Sequence, residues 1–193
     1  MRTGVFGGSF DPVHRGHLWV ARQAAKALQL DQVLFIPARL QPLKSGGPHA
    51  ASEHRVAMLR AAVADEDGFV VDERELSRPG PSFTVDTLRA LKLERPQDPL
   101  FLLVGADAAR ELPRWHEVAE VQRLATIAVV PRPGGDIPLL PPSAVPLAIE
   151  PLDVSATSVR SAVAGGQAID HLVPKAVADY IASHRLYRPG VAC

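Results

Sequence analysis

The chain has 193 residues, of which 47% are hydrophobic and 22% are charged, which is enough for one domain with a sizeable core. Its 21 basic and 21 acidic residues cancel, so nothing in the charge predicts a nucleic-acid-binding surface. Its single cysteine, Cys193, excludes an intramolecular disulfide. Because the sequence shows neither a signal peptide nor a membrane-spanning apolar run, we expect a cytoplasmic protein that binds no membrane.

In chain order, short apolar runs alternate with segments whose apolar residues recur at helical spacing. The runs that predict strands are residues 3–6, 33–36, 69–71, 100–104, 127–130 and 147–149. The periodic segments predict helices over residues 18–28, 53–63, 85–93, 115–124, 158–164 and 175–184. This alternation predicts an α/β fold, a doubly wound and mostly parallel sheet with helices on both faces and functional loops at the carboxyl ends of its strands.

Two proline-rich stretches interrupt the alternation without marking a domain boundary. Residues 37–51 contain three prolines and the pair Gly46-Gly47, which predicts an irregular loop. Residues 131–146 contain six prolines and predict a surface excursion before the last strand. We therefore expect a single domain over residues 1–193, with a C-terminal helical part, about residues 155–193, packed on it.

The stretch from Gly7 to His17 follows the first predicted strand and has the features of an anion site. A glycine-rich turn between a strand and a helix presents backbone N–H groups and the positive end of a helix dipole to a ligand. His14 and His17 are three residues apart in the first helical turn, so their imidazoles lie on one side. The pattern is neither a dinucleotide fingerprint nor a P-loop, and no cysteine or nearby carboxylate completes a zinc site. Taken singly, the glycines could simply turn the chain and the histidines could cap or pack.

A second polar segment, residues 153–160, has the pattern of a phosphate site at a helix start. Ser155 predicts the N-cap, and Gly165-Gly166 predicts the end of the helix. Thr157 and Arg160 place a hydroxyl and a guanidinium on one face, a combination that binds phosphate oxygens. A plain capped surface helix with a solvated arginine would have the same pattern.

These two segments resemble the signature motifs of the nucleotidyltransferase superfamily. The first is similar to the (T/H)xGH signature, G-x-F-D-P-x-H/T-x-G-H, and the second to I-S-S-T-x-I-R. The resemblance implies a Rossmann-like fold that transfers an adenylyl or cytidylyl group from a nucleoside triphosphate to a phosphate. It implies catalytic roles for His14, His17 and Arg160. The residues that it implies for ATP binding are Gly7, Gly8, Ser9, Phe10, Gly105, Asp107, Ser155, Thr157 and Arg160.

Further segments are similar to those of bacterial nicotinate-nucleotide adenylyltransferases. They are residues 80–87 (G-P-S-Y-T-x-x-T), 105–107 with 113–115 (G-x-D…P-x-W), 131–134 (R-P-G) and 172–187 (L-x-P…Y-I…L-Y). The resemblance spans nearly the whole chain and implies the reaction of ATP with nicotinate mononucleotide to nicotinate adenine dinucleotide (deamido-NAD) and pyrophosphate, in NAD biosynthesis. It also implies Mg²⁺ bound with ATP largely through water, without metal ligands from the protein. The residues implied for mononucleotide binding are Lys44, Phe83, Thr84, Trp115 and Arg132.

Physical roles can be given to three of these residues. Trp115 offers a flat face for a pyridine ring, and the N–H groups that begin a helix near Thr84 suit the nicotinate carboxylate. Asp107 suits the ribose hydroxyls of the adenosine. Without the resemblance, Trp115 would equally suit the core, and Thr84 and Asp107 would suit ordinary helix caps.

Departures from the family pattern leave alternatives open. In the loop 37–44, Ala38, Gln41 and Leu43 replace the commoner Asn, Pro and His, and Phe83 replaces a frequent Tyr. The alternatives are an adenylyltransferase acting on nicotinamide mononucleotide or phosphopantetheine, and a non-catalytic nucleotide sensor on the same fold. The sequence leaves the oligomeric state open, a homo-oligomer included.

Overall fold

The computed structural model describes residues 1–43, 46–131, 144–150 and 152–189. Within these ranges, six strands form one sheet in the order β3-β2-β1-β4-β5-β6, and every pairing is parallel. The strands are β1 (Thr3–Gly8), β2 (Gln32–Pro37), β3 (Phe69–Val71), β4 (Leu100–Gly105), β5 (Thr126–Val130) and β6 (Ala144–Pro146). The predicted parallel α/β sheet is confirmed.

The helices within the described ranges are α1 (Arg15–Leu28), α2 (Ser52–Val63), α3 (Arg74–Ser77), α4 (Thr84–Glu94), α5 (Ala106–Arg110), α6 (Val118–Leu124), α7 (Ala156–Ala164) and α8 (Lys175–Ser183). In α1 the residues Leu18, Ala21 and Ala24 form the buried stripe, which explains why this amphipathic segment folds as a helix against the sheet. In the described part of the chain, no helix is long and apolar enough to cross a membrane.

Helices cover both faces of the sheet because successive residues of a strand point in opposite directions. In β2, Val33 and Phe35 belong to a buried cluster that includes side chains of α1, α2, α7 and α8. Leu34 and Ile36 belong to a second cluster with side chains of α4, α5 and α6. The fold is therefore doubly wound and Rossmann-like, as expected. That residues 1–193 form a single domain stays a prediction.

The strand order reverses at the centre of the sheet. The chain leaves β1 for β2 and β3 on one side, and then crosses to β4 and β5 on the other. The carboxyl ends of β1 and β4 bring Gly7, Gly8 and Gly105 to the same edge. A crevice at such a switch point is where open α/β sheets bind their ligands.

The prediction of the last strand is wrong. The strand is Ala144–Pro146, which pairs with β5. Residues 147–149 follow the strand, although the backbone N–H of Leu147 still donates to the carbonyl oxygen of Val129 in β5 at 2.9 Å. Leu147 is 3% exposed and Ile149 packs beside it against the core cluster that contains α1 and α8. Their apolar character therefore reflects burial against the core at the end of the strand.

The helix predicted from residue 115 begins later, at Val118. A 3₁₀ turn, Leu112–Arg114, precedes it, and Trp115 is extended after that turn. The short helices α3 and α5 were not predicted, because four or five residues are too few to show a helical period. This irregular stretch leaves Trp115 beside the crevice rather than on a regular helix.

Candidate active site

The end of β1 contains two glycines, and a buried phenylalanine follows them in the turn after the strand. A side chain at Gly7 would meet nothing within 4 Å, and both Gly7 and Gly8 line a cavity of about 650 Å³ at the carboxyl end of the sheet. A β-carbon at Gly8 would lie 3.1 Å from the ring of Phe10, so the turn leaves little room for a side chain there. Phe10 is 1% exposed and packs in the core, so any contact between Phe10 and ATP would come from its backbone.

His14 and His17 lie together at the start of α1. Their ring centroids are 3.7 Å apart, with the rings tilted by 31°. The backbone N–H of His14 donates to Nδ1 of His17 at 3.2 Å, which closes the first turn of the helix. Because Nδ1 of His17 accepts this hydrogen bond with its lone pair, a neutral His17 carries its proton on Nε2. The Nε2–H group of His17 is therefore the donor suited to an anion.

His14 is neutral at physiological pH. Its side chain is buried, and burial lowers its pKa from 6.5 to about 4, because a charged imidazolium would lose its hydration. Two imidazolium ions with centroids 3.7 Å apart would also repel each other. The sequence predicted both histidines at the reacting phosphate; the structure brings their two rings together and makes His14 a neutral imidazole rather than a cation.

Gly16 is required by the packing of this histidine pair. A β-carbon at Gly16 would lie 3.0 Å from Nδ1 and 3.1 Å from Cε1 of His14. It would also lie 3.4 Å from the carbonyl oxygen of Val154, just before α7. The missing side chain thus lets the start of α1 approach the second motif while the His14 ring keeps its position.

Asp11 connects the first motif to distant parts of the chain. Its carboxylate is 3% exposed and accepts hydrogen bonds from the backbone N–H groups of His49 at 2.5 Å and Ala50 at 3.1 Å. The hydroxyl of Tyr187 donates to the same carboxylate at 2.8 Å. Its carbonyl oxygen accepts a hydrogen bond from Nη1 of Arg160 at 2.7 Å. Sequence reasoning missed Asp11, because its partners are far away in the chain.

Arg160 brings the second motif to the first. Ser155 caps α7, as predicted, by accepting a hydrogen bond from the N–H of Ser158 at 3.0 Å. The guanidinium of Arg160 reaches Asp11 through Nη1 and donates to Oγ1 of Thr157 through Nη2 at 3.3 Å. Among the described residues no carboxylate pairs with Arg160, so its charge is available for an anion. The structure therefore brings Arg160 and Thr157 to the histidine loop.

The buried side chain of Arg55 supports the turn that follows β1. It is 2% exposed and donates to the carbonyl oxygens of Ser9 at 2.8 Å and Ala38 at 2.9 Å. Burial lowers its pKa, because the guanidinium is removed from water, although an arginine remains charged. Arg55 thus holds Ser9 against the loop that follows β2. The signal in the sequence was an arginine within the apolar pattern of residues 53–63.

The cavity beside the glycine turn has an aromatic wall. Phe83, Thr84 and Trp115 line it together with Gly7 and Gly8, so the structure brings these predicted residues into one space. Thr84 is the first residue of α4. The first backbone N–H groups of a helix have no acceptor within the helix, so they can donate to a ligand. A flat ring and an anion can therefore be bound side by side in this cavity.

Two charged residues of the cavity extend this picture. Asp107, predicted for the adenosine ribose, lies in the same cavity as Trp115 and forms an ion pair with Arg110 at 2.8 Å. His116 was not predicted. Its ring lies 4.5 Å from the ring of Phe83, tilted by 38°. The sequence signal for His116 was only its position next to Trp115.

A buried carboxylate supports the part of this cavity's wall that contains Thr84. Glu75 is 7% exposed and accepts a hydrogen bond from Oγ1 of Thr87 at 2.7 Å. Burial raises the pKa of Glu75, while hydrogen bonds from Thr87 and Ser82 counteract part of that effect. Oγ of Ser82 also accepts the N–H of Arg39 at 3.0 Å. The network therefore ties the start of α4 to the loop after β2.

Two predicted residues, Lys44 and Arg132, lie outside the described residues. Across residues 1–43, 46–131, 144–150 and 152–189, no group of three or more His, Cys, Asp or Glu side chains is placed to hold a metal ion. Around the histidine pair the structure offers imidazole groups, the hydroxyl of Thr157 and the guanidinium of Arg160. An arrangement of this kind is suited to binding phosphates.

Comparison with known proteins identifies the class of enzyme. The sequence model of the cytidylyltransferase-like family matches residues 5–162. This match, with the parallel sheet and the joined phosphate motifs, makes the chain a nucleotidyltransferase.

A protein of Thermus thermophilus described as a probable nicotinate-nucleotide adenylyltransferase is 45% identical over 188 residues, which cover 97% of this chain and 100% of the relative. A Roseiflexus protein of the same description is 45% identical over 194 residues, covering 96% and 97%. The chain belongs to the nicotinate-nucleotide adenylyltransferase family.

Solved structures with the same fold carry related descriptions. The Plasmodium falciparum nicotinic acid mononucleotide adenylyltransferase complexed with NaAD has a TM-score of 0.80, 19% identity, and coverage of 96% of this chain and 97% of its own. The same enzyme complexed with APC has a TM-score of 0.75 and 18% identity, with 96% of each chain covered. At these identities the likeness shows the shared fold.

Proposed function

We propose that this chain transfers the adenylyl group of ATP to nicotinate mononucleotide, giving nicotinate adenine dinucleotide and pyrophosphate in NAD biosynthesis. One observation carries the proposal: Arg160 joins the histidine pair through Asp11, at the same sheet edge as an aromatic cavity. Relatives that are 45% identical bear this name. A structure of the same fold is described in complex with NaAD.

The reaction requires two polyanions to approach each other. A phosphate oxygen of the mononucleotide attacks the α-phosphorus of ATP in line, and since it is already an anion it needs no general base. Acceleration then comes from positioning and from stabilising the developing charge. In this proposal Nε2–H of His17 donates to an α-phosphate oxygen, and neutral His14 fixes His17 through its backbone N–H. Arg160 stabilises the charge on the departing phosphates.

The acceptor would occupy the aromatic cavity. Trp115 and Phe83 would hold the pyridine ring, and the N–H groups at the start of α4, near Thr84, would hold the nicotinate carboxylate. Asp107, in the same cavity, would accept hydrogen bonds from the ribose hydroxyls of the adenosine of ATP. The buried Glu75 supports the proposal by fixing the wall that contains Thr84.

Mg²⁺ enters this proposal with ATP, as part of the substrate. The triphosphate oxygens and water would hold it, since hard oxygen ligands suit this ion. Lys44 remains a proposed contact of the substrate or leaving phosphates, and Arg132 remains a proposed contact of the mononucleotide. The cytoplasm, where ATP is supplied, is the proposed location.

The direct test is pyrophosphate release from ATP with nicotinate mononucleotide, nicotinamide mononucleotide or phosphopantetheine as the acceptor. We expect the acid mononucleotide to give the highest kcat/KM of the three. A higher value with the amide, or with phosphopantetheine, would replace the proposed acceptor by that compound. Nucleotide binding without pyrophosphate release from any of them would identify a sensor instead of an enzyme.

His17→Gln tests the assignment of the reacting centre. A glutamine three residues after the N-cap can still accept the His14 N–H, so the helix start is kept while the imidazole is removed. We expect kcat to fall by about 100-fold or more, with a much smaller change in ATP binding. His171→Gln, which replaces an exposed histidine, is the control. Near-normal turnover of His17→Gln would contradict the assignment.

A further inference from the structure

The aromatic cavity lies between two separate segments of the chain. The first is the start of α4, which contributes Phe83 and Thr84, and the second is the stretch before α6, which contributes Trp115 and His116. Apolar packing places the two segments side by side, because Phe83 and Trp115 both pack against one buried cluster. The distance between the segments therefore sets the space that is left for a flat ring.

An ion pair joins the same two segments outside the cavity. Arg89, in the second turn of α4, donates from Nη1 and Nη2 to the two carboxylate oxygens of Glu117, at 3.0 and 2.5 Å. Neither residue lines the cavity. A bidentate pair of this kind fixes the direction of both side chains as well as their distance. Because Glu117 follows Trp115 by two residues, the pair also fixes the Trp115 segment relative to α4.

Glu117 is connected to the lining of the cavity through His116. Nε2 of His116 lies 3.3 Å from Oε1 of Glu117, and the His116 ring packs on Phe83 with the centroids 4.5 Å apart. The contacts form a closed circuit, from α4 through the His116 ring and Glu117 back to α4 at Arg89. The backbone of Glu117 has a φ of 48°, in the left-handed region, which a residue with a side chain keeps only where surrounding contacts hold it.

Both members of the ion pair stay charged. The hydrogen bond between them is the largest cause that lowers the pKa of Glu117 and raises the pKa of Arg89. Two further carboxylates, those of Asp86 and Glu120, each lie 3.8 Å from a guanidinium nitrogen of Arg89. The side chains of Arg89 and Glu117 are 41% and 42% exposed, so the pair contributes little to overall stability and its loss should leave the fold intact.

We propose that Arg89 and Glu117 are positioning residues for the acceptor: their ion pair holds the Trp115 segment against the start of α4, so that both walls meet the nicotinate ring. The inference rests on the proposed function and deepens it, since neither residue lines the cavity that would receive the substrate. In the proposed function the triphosphate of ATP is bound at the histidine pair, so ATP binding does not depend on this ion pair.

Arg89→Ala is the decisive variant, measured by calorimetric titration of the protein with nicotinate mononucleotide alone. Alanine keeps α4 helical, so the variant removes only the connection between the two segments. We expect the mononucleotide to bind about fivefold more weakly, because an exposed ion pair has a modest effect. In turnover, the KM of the mononucleotide should rise by the same factor, with kcat and the KM of ATP unchanged. Arg89→Lys should restore part of the affinity by keeping the charge without the bidentate geometry.

Arg123→Ala is the matched control. Arg123 also forms a bidentate ion pair, with both contacts at 2.7 Å, but its partner Glu120 is on the same helix, α6, so its loss leaves the two segments joined. Equal mononucleotide affinities of Arg89→Ala and the unaltered protein would overturn the inference, even where adenylyl transfer proceeds. Equal losses in Arg89→Ala and Arg123→Ala would also overturn it, since the change in net charge would explain both.

A double variant distinguishes a shared action from two independent ones. Glu117→Ala removes the same ion pair together with the contact to His116, so Arg89→Ala/Glu117→Ala should bind the mononucleotide no more weakly than Glu117→Ala alone. Losses that multiply in the double variant would contradict the inference. Mononucleotide binding that is weakened in Arg89→Ala but not in Arg123→Ala, in a protein that transfers no adenylyl group, would leave the positioning role assigned and the proposed function refuted.

Discussion

The buried His14 makes the stability of this protein fall at acidic pH by an amount that the structure sets. In the folded protein its pKa is lowered from 6.5 to about 4 by burial, while in the unfolded chain the imidazole is hydrated. Between these two values the unfolded state binds more protons at this site than the folded state. The free energy of unfolding therefore decreases as the pH falls below 6.5, and the loss is complete below about 4.

The magnitude follows from the size of the shift. A difference of one pKa unit corresponds to about 1.4 kcal/mol, so a fall from 6.5 to about 4 amounts to about 3 kcal/mol. For a protein of this size each kcal/mol changes the melting temperature by about 2–4 °C. His14→Gln removes the titrating group, so the free energy of unfolding of this variant should not show the loss of about 3 kcal/mol that His14 causes at acidic pH.

The assay is urea unfolding of the unaltered protein and of His14→Gln at pH 7, 6, 5 and 4. Subtracting one pH profile from the other cancels the other titrating groups. The stability advantage of the unaltered protein should shrink by about 3 kcal/mol between pH 7 and pH 4. His171→Gln, which removes an exposed imidazole, should not reproduce this change. Parallel pH profiles for the unaltered protein and His14→Gln would refute the inference that His14 is buried and neutral.

Two substitutions test the packing of the histidine pair and the aromatic wall. Gly16→Ala places a β-carbon 3.0 Å from Nδ1 of His14 and 3.4 Å from the carbonyl oxygen of Val154, and we expect kcat to fall at least about tenfold. The melting temperature of Gly16→Ala should fall by only about 2–8 °C, since the helix propensity of alanine offsets part of the crowding. Gly47 has open space around it, so Gly47→Ala should change neither kcat nor the melting temperature. Trp115→Ala should raise the KM of the mononucleotide about tenfold by removing a stacking surface, and an effect confined to the KM of ATP would show that the ring lies elsewhere.

The sequence predicted the sheet well, because a buried parallel strand and an amphipathic helix each have a local apolar pattern. β2 is buried along its whole length, and the stripe of α1 repeats at helical spacing. The last strand was misplaced for the same reason. Leu147 and Ile149 are apolar because they pack on the core, and an apolar run cannot distinguish burial from strand pairing.

The candidate site was only partly predictable. The glycine turn, the pair His14 and His17, and Arg160 lie in short motifs whose residue types and spacing already indicate phosphate chemistry. The residues that hold these motifs in place were missed. Asp11 accepts a hydrogen bond from Tyr187, which is 176 residues away, and Arg55 joins two loops that no periodicity connects.

The sequence by itself determined the alternation of strands with the longer helices, the two phosphate motifs and the family, because these depend on residue types at short separation. Tertiary structure alone decided that Arg160 meets the histidine loop. It also decided that His14 is neutral, because the pKa of an imidazole depends on how much water the fold leaves around it.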